Sequence, residues 1–65
     1  MKATLKEWRG YRGISQEALA RKVGVTAQTI RNWESRKTEP SVSDLPKLKR
    51  ALSMKASDSL IVGKE

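Results

Sequence analysis

The sequence predicts an all-α fold of five short helices, and two observations support that prediction. Apolar residues recur at spacings of three and four, which is the repeat of one face of a helix. Serine and threonine precede the periodic segments and glycine follows several of them, as N-caps and C-terminal stops do. The 65 residues suffice for a single domain, residues 1–65, with a small core.

The first helix is predicted over residues 3–12, with Thr4 as its candidate N-cap. Leu5 and Trp8 are three positions apart and should share the inward face of this helix. Gly13 should end the helix, because a residue without a Cβ suits the left-handed position that follows a helix.

Two more helices follow, joined by a tight turn at Gly24. They are predicted over residues 15–23 and 27–36. Ser15 and Thr26 are suitable N-caps, because a hydroxyl can accept a hydrogen bond from a backbone N–H of the first turn. Two helices separated by a short glycine-containing turn form the helix-turn-helix motif, whose second helix enters the major groove of DNA.

The predicted third helix combines an apolar face with a polar face of unusual composition. Ile30, Trp33 and Glu34 lie together on the inward side. The outward side lacks the usual Glu and Lys, and it consists of Ala27, Gln28, Arg31, Asn32 and Ser35. Amides can bond an adenine edge, arginine a guanine edge, and an alanine methyl can touch a thymine methyl. Each residue alone would suit a solvated surface, but together on this helix they indicate base reading.

A connection follows the third helix, and Arg36 and Lys37 open it. Cations at this position can contact the phosphate backbone of DNA, which sets register without reading sequence. They can equally compensate the negative end of the helix dipole, so both interpretations stay open for these two residues.

The remainder of the chain predicts two further helices. The fourth is predicted over residues 44–52 with Ser43 as its N-cap. This start places Pro46 in the first turn, where the backbone N–H that proline lacks has no partner within the helix. The fifth is a short helix over residues 57–62.

The composition indicates a polyanionic partner and excludes several classes of function. Fourteen Lys and Arg against seven Asp and Glu give a net charge of +7, which suits a nucleic acid. The absence of cysteine and histidine excludes disulfides, thiolate zinc sites and histidine-based catalysis. We therefore expect no enzyme, no metal and no cofactor. No segment approaches the roughly 20 apolar residues of a membrane span, and we expect a cytoplasmic protein.

Residues 15–41, SQEALARKVGVTAQTIRNWESRKTEPS, resemble the helix-turn-helix of the Cro and lambda-repressor-like regulators, the Xre type. The matching positions are Ser15-Gln16-Glu17, Leu19-Ala20, Val23-Gly24-Val25, Thr26, Ile30 and Trp33-Glu34. Pro40-Ser41 and the later segment LKRALSMKASDSL resemble the fourth and fifth helices of that family. The resemblance extends from Leu5 to Ile61.

This resemblance implies a compact five-helix domain with its third helix in the major groove. The residues that would face bases are Ala27, Gln28, Arg31 and Asn32. Those that would lie at the phosphate backbone are Gln16, Thr26, Ser35, Arg36 and Lys37. Longer repressors of the family carry a separate dimerisation or sensor domain. This chain has no room for one, and we expect a stand-alone regulator of a prokaryote or phage.

One structural pairing is also predicted between the first and third helices. Arg9 stands where the family often has arginine, and Glu34 lies on the inward side of the third helix beside Trp33. We expect Arg9 and Glu34 to form a partly buried ion pair, whose disruption would leave one charge without its partner.

The leading functional prediction is a Cro-like or phage-type repressor that binds double-stranded DNA and occludes a promoter. We expect a homodimer on DNA that is weakly associated or monomeric when free, with no small-molecule ligand. The alternative is a protein-binding module, such as an antitoxin or adaptor, with Leu60, Ile61 and Val62 as its contact. A basic peptide lying on membranes is disfavoured, because the caps and glycine stops indicate a folded globule.

Overall fold

Four helices and a two-stranded parallel sheet make up the computed structural model, which describes residues 2–61. The elements in chain order are β1 (Lys2–Thr4), α1 (Leu5–Arg12), α2 (Gln16–Val23), α3 (Ala27–Glu34), α4 (Asp44–Ala51) and β2 (Ser59–Ile61). The fold is mostly helical and contains the helix-turn-helix at α2 and α3. None of the helices described is long and apolar enough to cross a membrane.

Side-chain caps begin the first three helices at the predicted residues. The hydroxyls of Thr4, Ser15 and Thr26 each accept a hydrogen bond from the backbone N–H three residues later. At Thr4 the carboxylate of Glu7 also accepts from the Thr4 backbone N–H, which completes a capping box. These local bonds explain why the starts of α1, α2 and α3 can be located from sequence.

The end of α3 differs from the prediction, because the helix stops at Glu34 rather than continuing to residue 36. Arg36 adopts a left-handed conformation with φ 63°. The Arg36 N–H donates to the carbonyl of Trp33, and the Lys37 N–H donates to the carbonyl of Asn32 at 2.9 Å. This is the double hydrogen bond of a Schellman motif, with arginine at the position that glycine usually occupies.

The start of α4 lies at Asp44, as predicted, but its cap differs from the prediction. Ser43 stands at the N-cap position and makes no capping bond with its side chain. The carboxylate of Asp44 instead accepts from the backbone N–H and the hydroxyl of Ser41. The helix ends one residue before the predicted end, with Leu52 as its C-cap. Pro46 lies in the first turn, as expected.

The predicted fifth helix is wrong for residues 57–61, because residues 59–61 form the strand β2. Lys2, Ala3 and Thr4 pair in parallel with Ser59, Leu60 and Ile61, so Ala3 belongs to β1 rather than to the first helix. A turn precedes β2, where Asp58 accepts the N–H of Lys55. Val62 and the Gly63 stop, which complete the predicted helix, lie outside the described residues.

A helix over residues 57–62 would be short, so its few hydrogen bonds would hardly offset the free-energy cost of nucleation. A strand at residues 59–61 instead pairs its backbone groups with those of β1. The indole Nε1 of Trp8 also donates to the carbonyl of Ser59 at 3.1 Å, which fastens β2 to α1. The pairing with β1 and the bond from Trp8 both join the N-terminal part of the chain to residues 59–61, and both favour a strand over a helix there.

The core lies between the helices, and α2 packs against both α3 and α4. The largest fully buried side chains of the core are Trp8, Leu19, Ile30, Leu48 and Leu52. The predicted inward apolar residues of α1 and α3, namely Leu5, Trp8, Ile30 and Trp33, are buried, and Glu34 is half-buried. This packing fixes which side of α3 remains outside.

Candidate nucleic-acid interface

The helix-turn-helix begins with α2, turns at Gly24 and continues into α3. Gly24 has φ 88°, a left-handed conformation that favours glycine, and its N–H donates to the carbonyl of Ala20 at 2.8 Å. The inward side of α3 is fixed by Ile30 and Trp33, which are both buried. Gln28 and Arg31 are exposed on the other side, and Asn32 is half-buried. The polar side chains of α3 thus face outward as predicted.

Hydrogen bonds link three of these polar side chains, which we call the outer triad: Arg31, Gln28 and Asn32. Arg31 Nη1 donates to Gln28 Oε1 at 3.1 Å. Gln28 Nε2 donates to Asn32 Oδ1 at 3.0 Å. The residues are three and four positions apart, which brings them together on one helix face. The triad is therefore a hydrogen-bonded row of polar groups rather than three independent side chains.

Ala27 occupies a less exposed place than its sequence role suggests. It is half-buried at the first position of α3 and packs partly against the core. Its position at the entrance of the helix is as predicted, but part of its methyl surface is already covered.

A second cluster, the inner triad, consists of Arg9, Glu34 and Gln16. Arg9 Nε donates to Glu34 Oε2 at 2.7 Å and Arg9 Nη2 to Glu34 Oε1 at 3.2 Å, so the predicted ion pair is present and bidentate. The side chain of Glu34 is 6% exposed and that of Arg9 is 18% exposed. Arg9 Nη1 also donates to the carbonyl of Ile14. Arg9 therefore connects α1 both to α3 and to the turn that precedes α2.

Electrostatics favour the charged forms of both partners. Burial acts to raise the pKa of Glu34, but hydrogen bonds from Arg9 and Gln16 outweigh it and the pKa lies below its ordinary value. The hydrogen bond to Glu34 raises the pKa of Arg9. Both side chains are thus ionised at neutral pH.

Gln16, a candidate phosphate contact, belongs to this inner triad. It is half-buried at the first position of α2, and its Nε2 donates to Glu34 Oε1 at 3.0 Å. A primary amide carries two N–H groups, so this bond uses one donor and leaves another. The ion pair consequently holds the Gln16 amide at the start of α2.

The other candidate phosphate contacts lie at the two ends of α3. Thr26 is exposed, and its hydroxyl caps the helix and bonds the Thr29 hydroxyl at 2.9 Å. Ser35 is exposed and donates to the carbonyl of Asn32. Arg36 and Lys37 are exposed, and neither side chain forms an ion pair within residues 2–61. The structure places these cations directly after the polar face.

A basic groove of about 630 Å³ between α2 and α4 was not predicted from the sequence. Three cations line it, namely Lys22, Lys47 and Arg50, over a partly apolar floor. The spacing of Lys47 and Arg50 indicates a shared helix face, but only the packing of α2 against α4 brings Lys22 beside them.

Arg12 is another cation whose place depends on the tertiary structure. Its guanidinium lies over the Trp8 ring, with Cζ 5.3 Å from the ring centroid. It also donates to the carbonyls of Leu52 and Ser53, at the end of α4. Arg12 therefore stabilises the contact between α1 and α4 and is not a free surface cation.

Metal binding finds no support in the part of the chain that the structure describes. Within residues 2–61 no three acidic, histidine or cysteine side chains come together as a metal site would require.

A family model described as "Helix-turn-helix" matches residues 5–58. The chain belongs to this helix-turn-helix family. Domains of this kind bind DNA through the second helix of the motif, which here is α3.

The chain is also similar to proteins named uncharacterised HTH-type transcriptional regulators. One from Archaeoglobus fulgidus is 35% identical over 65 residues, covering 100% of this chain and 93% of the relative. One from Methanocaldococcus jannaschii is 38% identical, covering 94% and 92%. YgzD of Bacillus subtilis is 43% identical, covering 89% and 88%. No solved structure gives a significant match.

Proposed function

We propose that this protein is a sequence-specific DNA-binding transcriptional regulator, a Cro-like or phage-type repressor that reads a palindromic operator through α3. The observation that carries the proposal is the position of the outer triad. Ile30 and Trp33 hold α3 from inside, so Gln28, Arg31 and Asn32 face outward on the second helix of the motif. Similarity to transcriptional regulators of comparable length supports the regulatory role.

The base contacts follow from the chemistry of the polar face. Arginine recognises the two acceptors of guanine, and an amide can recognise adenine or single acceptors. Arg31, Gln28 and Asn32 are the main base-reading residues. The half-buried Ala27 contributes the remaining exposed part of its methyl group at the entrance of the helix.

Phosphate contacts fix how α3 lies in the groove. Gln16 and Thr26 begin α2 and α3, where amide, hydroxyl and backbone N–H groups can donate to phosphate oxygens. Ser35, Arg36 and Lys37 follow α3 and contact the backbone beyond the bases. The net charge of +7 adds a long-range attraction for DNA.

Repression by this domain works through occupancy of a promoter. One domain of this size presents one recognition helix, and two copies bound as a homodimer read two half-sites about 34 Å apart, one turn of DNA. The free protein is a monomer or a weak dimer, and DNA brings the copies together. Neither a cofactor nor a small-molecule ligand is part of this mechanism.

Selection of bound sequences from random duplex DNA tests the proposal. We expect one enriched near-palindrome whose half-sites are separated by about one helical turn. A protein that enriches no sequence, or that binds every duplex equally, would contradict sequence-specific reading.

The salt dependence of binding to the selected site provides a second measurement. Six to ten phosphate contacts predict a slope of log affinity against log salt of about −5 to −9. Lys37→Ala should reduce the size of this slope by about 1 and weaken all sequences alike. An affinity independent of salt would argue against backbone contacts.

The alternative function, a protein-binding module, depends on an apolar contact near residue 60. Leu60 is half-buried and packs against the core, and Ile61 is half-buried in β2. Val62 lies outside the described residues. Leu60 is thus partly used by the core, so we favour DNA binding.

A further inference from the structure

The outer triad has a direction that its arginine determines. A guanidinium can only donate hydrogen bonds, so the oxygen of Gln28 must face Arg31. The Gln28 NH₂ group then faces Asn32, whose oxygen accepts the bond. An exposed amide by itself could adopt either orientation, because its oxygen and nitrogen are interchangeable in shape. Arg31 therefore sets the orientation of both amides.

This direction decides which groups remain available for a ligand. Asn32 directs its oxygen to Gln28, and its Nδ2 has no protein partner within residues 2–61. Arg31 uses only Nη1 in the triad and keeps its other N–H groups. The two ends of the triad thus present donors to the solvent. Guanine carries two acceptors, N7 and O6, on its major-groove edge.

We propose that Gln28 is a positioning residue that couples the base choices of Arg31 and Asn32. By accepting from one neighbour and donating to the other, Gln28 holds both as donors aimed at acceptor-rich guanine edges. The inference rests on the proposed function and deepens it, because it predicts guanine in the half-site at the positions of Arg31 and Asn32. Gln28 acts here through its neighbours, beyond any base contact of its own.

A purely structural role would not explain the triad. Pairs of exposed side chains three or four positions apart add little to the stability of a helix. Preorganisation has a larger effect on recognition, because side chains that are already ordered lose less entropy when DNA binds. Removing Gln28 should therefore change base preference and leave the fold intact.

Four variants separate coupling from independent reading. Arg31→Ala and Asn32→Ala, carried through selection on random duplexes, identify the base-pair positions at which each residue acts. Gln28→Met keeps the length of the side chain and removes both hydrogen bonds. Gln28→Glu keeps an acceptor for Arg31 and removes the donor to Asn32. Preferences are compared relative to each variant's best site, because the added negative charge weakens binding to every DNA.

The expected result is a coupled change. Wild type should select guanine at the Arg31 and Asn32 positions. Gln28→Met should reduce the preference at both positions, by up to roughly the fivefold that the loss of a direct base contact would cause. Gln28→Glu should reduce the preference at the Asn32 position and keep guanine at the Arg31 position. All variants should melt near the wild-type temperature, since Gln28 and Arg31 are exposed and both hydrogen bonds of the triad lie at the surface.

Other results would overturn the inference in distinct ways. If Gln28→Met changed only a position that neither Arg31→Ala nor Asn32→Ala affects, Gln28 would read its own base and no coupling would exist. A sharp wild-type site with adenine at both positions would contradict the donor orientation. Both results would leave DNA binding intact, whereas a wild type that enriches no sequence would remove the proposed function itself.

Discussion

The inner and outer triads use similar chemistry in two different surroundings. In each, an arginine donates to a residue of α3 and an amide is bonded to that same residue: Arg9, Glu34 and Gln16 inside, and Arg31, Gln28 and Asn32 outside. The inner contact is bidentate, with a shortest distance of 2.7 Å, and joins different helices. The outer contacts measure 3.0 and 3.1 Å and stay within α3.

The difference shows how burial separates stability from recognition. A charge in the inner triad has little access to water, so the loss of its partner must weaken the folded state. A polar group in the outer triad can return to water at small cost. The inner triad therefore holds the helices in place, while the outer triad remains available to a partner.

The largest expected effect is the loss of stability in Arg9→Ala. This change leaves the 6% exposed Glu34 without its ion partner, which should reduce the free energy of unfolding by about 3 kcal/mol. We place the effect at the lower end of the range for buried pairs because Arg9 is partly exposed. Urea unfolding of wild type and variant measures it, with Lys49→Ala, which removes an exposed cation of α4, as the control.

An Arg9→Ala variant that unfolds at the wild-type denaturant concentration would show that the inner triad contributes no more to the free energy of unfolding than the outer triad does.

The second effect is a dependence of stability on pH. The pKa of Glu34 is lowered in the folded protein from its ordinary value of 4.5. Its contribution is therefore fully present above about pH 4.5 and is lost as the pH falls through the lower folded value. Wild-type stability should fall on acidification, and Glu34→Gln should show a smaller fall from its own value at neutral pH. Unfolding free energies between about pH 6 and pH 3 measure both slopes.

Other carboxylates require a matched control in this measurement. The pKa of Asp44 is also lowered, by hydrogen bonds from Ser41 at the start of α4, but this carboxylate is exposed to solvent. Asp44→Asn should therefore remove less of the acid dependence than Glu34→Gln. Equal effects of the two substitutions would mean that Arg9 and Gln16 lower the pKa of Glu34 no further than Ser41 lowers that of Asp44.

The ion pair of the inner triad was predictable because its determinants lie in sequence pattern and family resemblance, whereas the bond from Gln16 to Glu34 was not predicted. Glu34 follows Trp33 on the inward side of a helix whose period is clear, and Arg9 stands at a matching family position. The helix starts at Ser15 and Thr26 were predictable for a different reason. Their capping bonds reach only three residues along the chain, so local sequence contains the full determinant.

The strands were not predictable because their partners are distant in sequence. Lys2 pairs with Ser59, and neither segment alone shows a strand pattern long enough to outweigh a helical interpretation. Packing between helices likewise decides that Ala27 is half-buried and that Lys22 lies in the same groove as Lys47 and Arg50. Sequence therefore located the polar face of α3 but could not give the hydrogen bonds that order it.

A smaller effect is expected at Arg36, where stability and recognition oppose each other. A residue with a Cβ in the left-handed conformation carries a cost of roughly 1 kcal/mol that glycine avoids. Arg36→Gly should therefore raise the free energy of unfolding by up to about 1 kcal/mol and weaken DNA binding by removing a cation. Arg36→Lys, which keeps both charge and strain, should change neither quantity much.

Thermal unfolding and titration with the selected DNA site measure the two quantities on the same proteins. An Arg36→Gly protein that is more stable and binds DNA as tightly as wild type would remove Arg36 from the phosphate contacts.

The smallest expected effect on stability belongs to the outer triad itself. Gln28→Ala removes two hydrogen bonds between exposed side chains, which at these helix spacings stabilise by about 0.2–0.5 kcal/mol each. Alanine has the higher helix propensity and offsets part of that loss. We therefore expect a net change within about 0.5 kcal/mol, against about 3 kcal/mol for Arg9→Ala. Urea unfolding of both variants at one pH gives the ratio directly. If Gln28→Ala lowered the free energy of unfolding as much as Arg9→Ala does, the outer triad would be part of the stabilising packing of the fold. Its polar groups would then not be available to contact DNA.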